Sequence, residues 1–220
     1  MTPADARRTA DAAPRTTTDE YFERVYATGP DPWRLRERWY ERRKRSVLLA
    51  ALPAERYRRA FEPGCATGAL TEELARRCDQ VVAAERSDVP LGVARRLLAD
   101  RAGVELHHAA VPAWWPPGRF DLVVLSEIGY YLDDAALDLL LDRVRTGLEP
   151  GGTLAAVHWR HPAPDHARSG DSVHDRLRAF AGEAGWAAVS ATTEPDFRLD
   201  VVVAGPVASV AALHGVPGVT

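Results

Sequence analysis

Residues 61–71 read Phe-Glu-Pro-Gly-Cys-Ala-Thr-Gly-Ala-Leu-Thr, an acid closing an apolar stretch, a short run of small residues, then helix-forming sequence. Gly64, Ala66 and Gly68 leave bare main chain on one side of a tight turn, so a flat ligand can approach within van der Waals contact. A strand-turn-helix corner of this kind commits the chain to an α/β sheet with its ligand beyond the carboxyl ends of the strands.

A second acid follows at a meaningful distance. The apolar run 80–84 ends in Glu85, about 20 residues past the loop, where a ribose-binding acid belongs in such folds. Two ligand classes use this arrangement, dinucleotides and S-adenosylmethionine. Gly64, Ala66 and Ala69 satisfy a relaxed form of the dinucleotide fingerprint. Glu62 opposes that reading, because a carboxylate two residues before the loop sits close to any pyrophosphate at the helix N-terminus. S-Adenosylmethionine presents an ammonium instead, which Glu62 suits. Glu85 can accept from both ribose hydroxyls and would repel a ribose 2′-phosphate.

The rest of the chain alternates. Strands are expected over 57–62, 80–85, 104–107, 120–126 and 153–159, with helices over 69–77, 90–100, 133–148 and 172–184 between or after them. Two last strands, 187–192 and 197–204, are joined only by Glu194-Pro195-Asp196, which suits an antiparallel hairpin rather than another crossover. The expected fold is a doubly wound, seven-stranded, mostly parallel sheet with a terminal antiparallel hairpin. Residues 1–18 read as a disordered arm, 19–53 as an N-terminal helical lid, 54–205 as the ligand-binding domain and 206–220 as a C-terminal tail. The lid carries two helices, over 19–26 and 35–52, broken at Gly29-Pro30-Asp31-Pro32.

Composition narrows the partners. A net charge of −3 gives no reason to expect nucleic acid, and all but one of the 28 basic Lys and Arg residues are arginine, the exception being Lys44. Two cysteines, one of them in the ligand loop, form no disulfide framework and point to a reducing cytoplasm. No apolar run reaches the roughly 18 residues of a membrane helix, and the N-terminus lacks the apolar centre of a signal peptide. Monomer and homodimer both remain open.

Glu-Pro-Gly-Cys-Ala-Thr-Gly at 62–68, Phe-Asp-Leu-Val-Val-Leu-Ser-Glu at 120–127 and Leu-Glu-Pro-Gly-Gly-Thr-Leu at 148–154 resemble the successive motifs of class I S-adenosylmethionine-dependent methyltransferases. Asp31-Pro32-Trp33, Trp39-Tyr40-Glu41-Arg42-Arg43-Lys44, Ser126-Glu127-Ile128-Gly129-Tyr130-Tyr131-Leu132 and His158-Trp159-Arg160-His161-Pro162 more narrowly resemble the nodulation protein S-like (NodS-like) members. That resemblance implies S-adenosyl-L-methionine as cofactor and methyl transfer to an amine or hydroxyl of a small-molecule acceptor, an amino sugar among the options. It implies cofactor contacts from Glu62, Gly64, Ala66, Gly68, Glu85, Arg86, Ala110, Val111 and Ser126, with an arginine, Arg43, for the cofactor carboxylate. The chain departs at Ala110, where the family commonly has an acid that accepts from the adenine amino group. Adenine recognition then falls to backbone around 109–111, with packing from Val111 or Trp114. An NAD-dependent oxidoreductase and a non-catalytic cofactor-binding scaffold are the alternatives.

Methyl transfer from a sulfonium is an in-line displacement, so alignment is the main catalytic task. A proton acceptor helps with either an amine or a hydroxyl. The candidates end the two strands bordering the acceptor cleft: Glu127 and Tyr130 after the fourth strand, His158 at the end of the fifth. The spacing of the histidines matches no compact zinc pattern, and no metal is expected.

Overall fold

The computed structural model describes residues 15–219; the part of the expected N-terminal arm within 1–14 lies outside the described residues. Helices α1 (Asp19–Ala27) and α2 (Trp39–Ala51) precede a unit running β1 (Tyr57–Pro63), α3 (Ala69–Leu74), β2 (Cys78–Glu85), α4 (Asp88–Leu97), β3 (Val104–His108) and β4 (Phe120–Ser126). After a 3-10 turn at Gly129–Tyr131 come α5 (Asp134–Gly147), β5 (Leu148–Trp159), α6 (Gly170–Glu183), β6 (Ala187–Thr193), β7 (Phe197–Val203) and α7 (Val210–Leu213).

The seven strands form one sheet in the order β3-β2-β1-β4-β5-β7-β6. β1 to β5 run parallel, while β7 is antiparallel to both β5 and β6, the hairpin expected from the tight 194–196 connection. The order reverses between β1 and β4, so the crevice above those two strands is the topological switch point where ligands collect in open α/β sheets.

β4 shows why the sheet needs cover on both sides. Its period of two sends Val123 and Leu125 to one face, where Leu137, Leu140, Leu141 and Val144 of α5 and Val173 and Leu177 of α6 meet them. Leu122 and Val124 go to the other face, against Leu48 of α2, Leu70 and Leu74 of α3, and Phe197, Leu199 and Val201 of β7. α5 carries its apolar residues at helical spacing and starts at Asp133, whose carboxylate accepts from the Ala136 amide at 2.9 Å.

Several boundaries differ from expectation for identifiable reasons. Residues 31–38 are turns rather than the start of α2, because the Leu35 amide donates to Asp31 and the Leu35 carbonyl accepts from Arg45. The helix after the ligand loop stops at Leu74, since residue 77 offers its carbonyl to the Tyr57 amide at the base of β1. β5 begins at Leu148, pairing with Phe120 across a bulge. Residues 15–18, expected in the arm, are tied down: the Thr17 amide donates to the Tyr131 carbonyl at 2.8 Å and Thr17 Oγ1 to the Asp165 carbonyl at 2.7 Å. The expected C-terminal tail contains α7, which leaves Leu213 exposed.

Candidate active site

A cavity of about 520 Å³ opens above the carboxyl ends of β1, β2, β4 and β5, and the N-terminal elements cover it. Phe22 and Tyr26 of α1 are buried in this roof, with Phe22 edge-on to Tyr131 at 4.9 Å and Tyr26 edge-on to Trp33 at 5.5 Å. Of the aromatic residues of the expected lid, Tyr21, Phe22, Tyr26, Trp33 and Tyr40 wall the cavity, whereas Trp39 is exposed.

The loop after β1 folds by left-handed turns: Gly64 has φ 74°, Ala66 φ 48° and Gly68 φ 79°. The reason for glycine is not the one expected. A Cβ at Gly64 would lie 2.4 Å from Ile128 Cγ2, and one at Gly68 would lie 3.0 Å from Leu98 and 3.1 Å from Ala94, so both glycines accommodate protein neighbours. Gly64 and Ala66 line the cavity, whereas Gly68 acts only as the left-handed cap of α3. The Gly64 and Cys65 amides donate to the Ala84 carbonyl at 2.7 and 2.9 Å, which welds the loop to β2.

Glu85 is held rigidly. One carboxylate oxygen accepts from the Ala66 amide at 3.0 Å and the other from the Ser87 amide at 2.9 Å, which leaves its remaining lone pairs toward the cavity it lines. Burial raises its pKa, opposed by these amides and by Arg86. Glu62 is buried, accepts from Thr71 Oγ1 at 2.6 Å and is pushed up by burial to about 7, against the pull of Thr71 and Arg45. A half-protonated carboxyl at the cavity wall suits a ligand that brings its own ammonium.

Arg86, Ala110, Val111 and Ser126 also line the cavity. Arg86 stacks over Phe22 at 4.7 Å, reaches the Thr17 carbonyl and pairs with Asp19, so it ties roof to floor. Two expectations fail here. Trp114 turns away to pack on Phe61 and His107. Arg43 points to the hairpin connection, where Glu194 takes its guanidinium bidentately at 2.6 and 2.9 Å. Arg38 and Arg45 are the arginines of this segment that line the cavity. Arg45 is already engaged by Glu73 and the Leu35 carbonyl, which leaves Arg38 as the open guanidinium at that wall among the described residues.

The other end of the cavity is built around Glu127, a non-glycine residue at φ 59°, a conformation costing about 1–2 kcal/mol. Its side chain supplies the compensation. Oε1 accepts from Lys44 at 2.5 Å, and Oε2 accepts from the Tyr130 hydroxyl at 2.5 Å and the Trp159 amide at 3.0 Å. Lys44 also meets Glu41 at 3.0 Å and lies 4.9 Å from the Tyr40 ring centroid. Burial alone pushes its ammonium pKa down, but the carboxylates of Glu127 and Glu41 prevail and hold it above the ordinary lysine value. Glu41, Lys44, Arg45 and Leu48 share the buried side of α2, while Arg42 stays exposed.

His158 does not face the acceptor. It is fully buried, its Nε2 accepts from the Gly129 amide at 3.0 Å, and its Nδ1 lies 3.2 Å from His174 Nε2. His174 Nδ1 is in turn 2.6 Å from Asp200, which Arg178 also holds. A backbone donor at one end and a carboxylate at the other fix both tautomers: His158 carries its proton on Nδ1 and His174 on Nδ1. Burial, then the neighbouring His174, Lys44 and His166, keep His158 neutral, its pKa well below the ordinary value. With its one free lone pair committed to Gly129, His158 fixes the turn that aims Tyr130 and is no proton acceptor for a ligand. His161 pairs with Asp196 at 2.8 Å on an exposed loop. The histidine that does line the cavity is His166, which is stacked on Tyr130 with ring centroids 3.8 Å apart.

Two buried polar atoms on the cavity wall, Tyr40 Oη and Arg86 Nε, make no hydrogen bond among the described residues. Together with Glu62 and Glu85 they mark a site for a polar, partly cationic ligand. Among the described residues no cluster of three or more His, Cys, Asp or Glu side chains could hold a metal ion, and no helix is long and apolar enough to cross a membrane.

Comparison with known proteins matches this geometry. A methyltransferase domain model matches residues 60–152. A crystal structure from Pseudomonas syringae, assigned to the methyltransferases, is 44% identical and superposes with a TM-score of 0.66 over 76% of this chain and 99% of that one. The chain belongs to the S-adenosylmethionine-dependent methyltransferases. Among its relatives, nodulation protein S of Rhizobium tropici is 32% identical over 126 residues, 56% of this chain and 53% of the relative. The chain spans little more than half the length of the nodulation proteins it matches. The N-methyltransferase NodS from Bradyrhizobium japonicum WM9, solved with S-adenosyl-L-homocysteine, shares the fold at a TM-score of 0.71 and 24% identity, over 84% of this chain and 96% of that one. S-Adenosyl-L-methionine is the cofactor, and the dinucleotide reading is set aside with the oxidoreductase it implied.

Proposed function

We propose that this methyltransferase acts on a small-molecule amine. The carrying observation is the charge at the acceptor end of the cavity, where Glu127 and Glu41 bracket one buried cation, Lys44, and Asp165 adds a further carboxylate to the lining. A surplus of carboxylates draws in an ammonium and repels a carboxylate acceptor. Tyr40, Tyr130 and Trp159 offer aromatic faces that suit a sugar or another ring scaffold, which keeps an amino sugar within the reading.

In this reading the cofactor supplies an electrophilic methyl group at the meeting point of the two ends of the cavity. Glu85 takes the ribose hydroxyls, Glu62 the ammonium and Arg38 the carboxylate, while backbone at Ala110 and the Val111 side chain flank the adenine. Glu127, braced by Lys44 and Tyr130, orients the acceptor nitrogen rather than deprotonating it, since three of its lone-pair sites are occupied. The roof excludes water from the reacting centre.

The test is methyl transfer from isotope-labelled S-adenosylmethionine to matched acceptors that carry an amine, a hydroxyl or a carboxylate on the same sugar and aryl scaffolds. Label in the amines supports the reading. Label confined to hydroxyls or carboxylates refutes it, and cofactor binding without any transfer returns the non-catalytic scaffold.

A further inference from the structure

We infer that His166 is the catalytic proton acceptor for the acceptor amine, placed at a doorway through which acceptor enters and proton leaves. The inference rests on the amine reading above and adds a residue, a route and a direction of proton flow.

Three observations carry it. First, His166 is the histidine that lines the main cavity. Its ring lies flat on Tyr130, 11° from parallel at 3.8 Å, and edge-on to Tyr131 at 5.2 Å, so its orientation is fixed without use of its nitrogens. Neither ring nitrogen makes a hydrogen bond among the described residues, in contrast to His158 and His174, whose nitrogens are all engaged. Second, Tyr130 is the residue that also donates to Glu127, so the stack brings an open imidazole beside the carboxylate that orients the nitrogen. Third, an outer depression of about 350 Å³, bounded by residues 15–18, Arg24 and 164–167, shares Tyr21, Asp165 and His166 with the main cavity. His166 therefore stands between the reacting centre and solvent.

The step balances. An amine entering as an ammonium gives one N–H proton to an imidazole nitrogen of His166, forming the imidazolium. The freed lone pair bonds to the methyl carbon while the C–S electron pair returns to sulfur. The product is a methylated ammonium, and the imidazolium releases its proton through the depression. The groups facing His166 are Glu127 after β4, Tyr130 and Tyr131 of the 3-10 turn, Tyr21 of α1, Asp165 on its own loop and His158 of β5. Half-burial lowers its pKa and outweighs the upward pull of Glu127 and Asp165, so it is neutral near pH 7.

The experiment has two arms on the full chain. Diethyl pyrocarbonate, which among histidines acylates the neutral, accessible ring, is applied across pH and the modified histidines are located by mass spectrometry. His166 should react, with a rate midpoint below the ordinary histidine value of about 6.5, and His158 and His174 should not; an unreactive His166 overturns the inference. The second arm follows transfer to glucosamine and benzylamine by wild type, His166→Gln and His166→Gly. Both variants should bind S-adenosylhomocysteine calorimetrically as wild type does. Both should lose about 10²–10⁴-fold in kcat and the acid limb of the pH profile, and added imidazole should restore part of the His166→Gly rate. Variants that keep cofactor binding and lie within twofold of wild type overturn the inference and leave the amine reading standing. Wild-type transfer to neither amine, with His166 reactive to the reagent, instead removes the amine reading and this role with it.

Discussion

Lys44→Met is the most decisive perturbation of the site, because it keeps the buried stem and deletes one charge. The Lys44 side chain is 4% exposed and bridges Glu41 and Glu127, which are 11% and 21% exposed. Breaking a fully buried pair from one side costs roughly 3–5 kcal/mol, since the remaining charge is left without its partner. Glu127 and Glu41 keep some contact with water in the cavity, which lowers the expectation to about 2–3 kcal/mol. At about 2–4 °C per kcal/mol for a chain of this size, the melting temperature should fall by roughly 4–12 °C. The assay is a double-mutant cycle of Lys44→Met, Glu127→Gln and the pair, by urea unfolding at pH 7. Glu127→Gln keeps hydrogen-bonding capacity toward Tyr130 and Trp159, so the double variant should recover part of the loss, with a coupling energy of about 1–3 kcal/mol. The lysine pKa is raised in the folded state, so this contribution is fully present below the unfolded value of about 10.4 and fades only as pH climbs through the higher folded value. Stability differences between wild type and Lys44→Met should thus be flat from pH 7 to 9. A single-variant loss below about 1 kcal/mol, or strict additivity in the cycle, would refute the claim that this pair supports the strained Glu127.

Other expectations follow from the same geometry. Glu85→Ala should weaken S-adenosylhomocysteine binding by about 1.5–3 kcal/mol in calorimetry, through lost charge-assisted hydrogen bonds and a loosened Ala66 amide. Glu62 has its pKa raised to about 7 from 4.5, so the native state of the free protein holds this proton more tightly than the unfolded chain. Its contribution should therefore be greatest below pH 4.5 and decline up to about pH 7, whereas cofactor affinity should rise over pH 6–8 as the carboxylate ionises; Glu62→Gln should abolish both trends. His158→Phe leaves the buried Gly129 amide and His174 Nε2 without partners and should cost about 2–5 kcal/mol in urea unfolding, with no loss of the acid limb in the pH–rate profile. Backbone amides of α1 and residues 31–38 should gain hydrogen-exchange protection on cofactor binding if the roof opens to admit it; identical exchange in both states would make it a fixed wall.

What the sequence could and could not reveal divides along the range of the interactions. The strand pattern, the ligand loop, Glu62 and Glu85 are local signals: alternation and turn chemistry are written in consecutive residues, and the parallel pairing of β1 with β2 follows from a crossover that leaves few choices. The tight 194–196 connection likewise announced the antiparallel β7, even though that strand inserts between β5 and β6. The acceptor end obeys no such rule. Lys44 reaches Glu127 across 83 residues, His158 reaches His174 by way of α6, and Arg43 is diverted by a carboxylate 151 residues away. Strand-end position correctly brought Glu127 and Tyr130 to the cavity yet misplaced His158, because β5 side chains alternate faces and the period of two puts Trp159 on the cavity side and His158 in the core. Lys44 did carry a legible signal that composition concealed. In a chain whose other basic residues are all arginine, the one lysine sits on the helix face, with Glu41, Arg45 and Leu48, that α2 turns inward. A compact ammonium fits between two carboxylates where a planar guanidinium would need a wider, forked partner. The choice of lysine at that position thus matches the shape of the acceptor end.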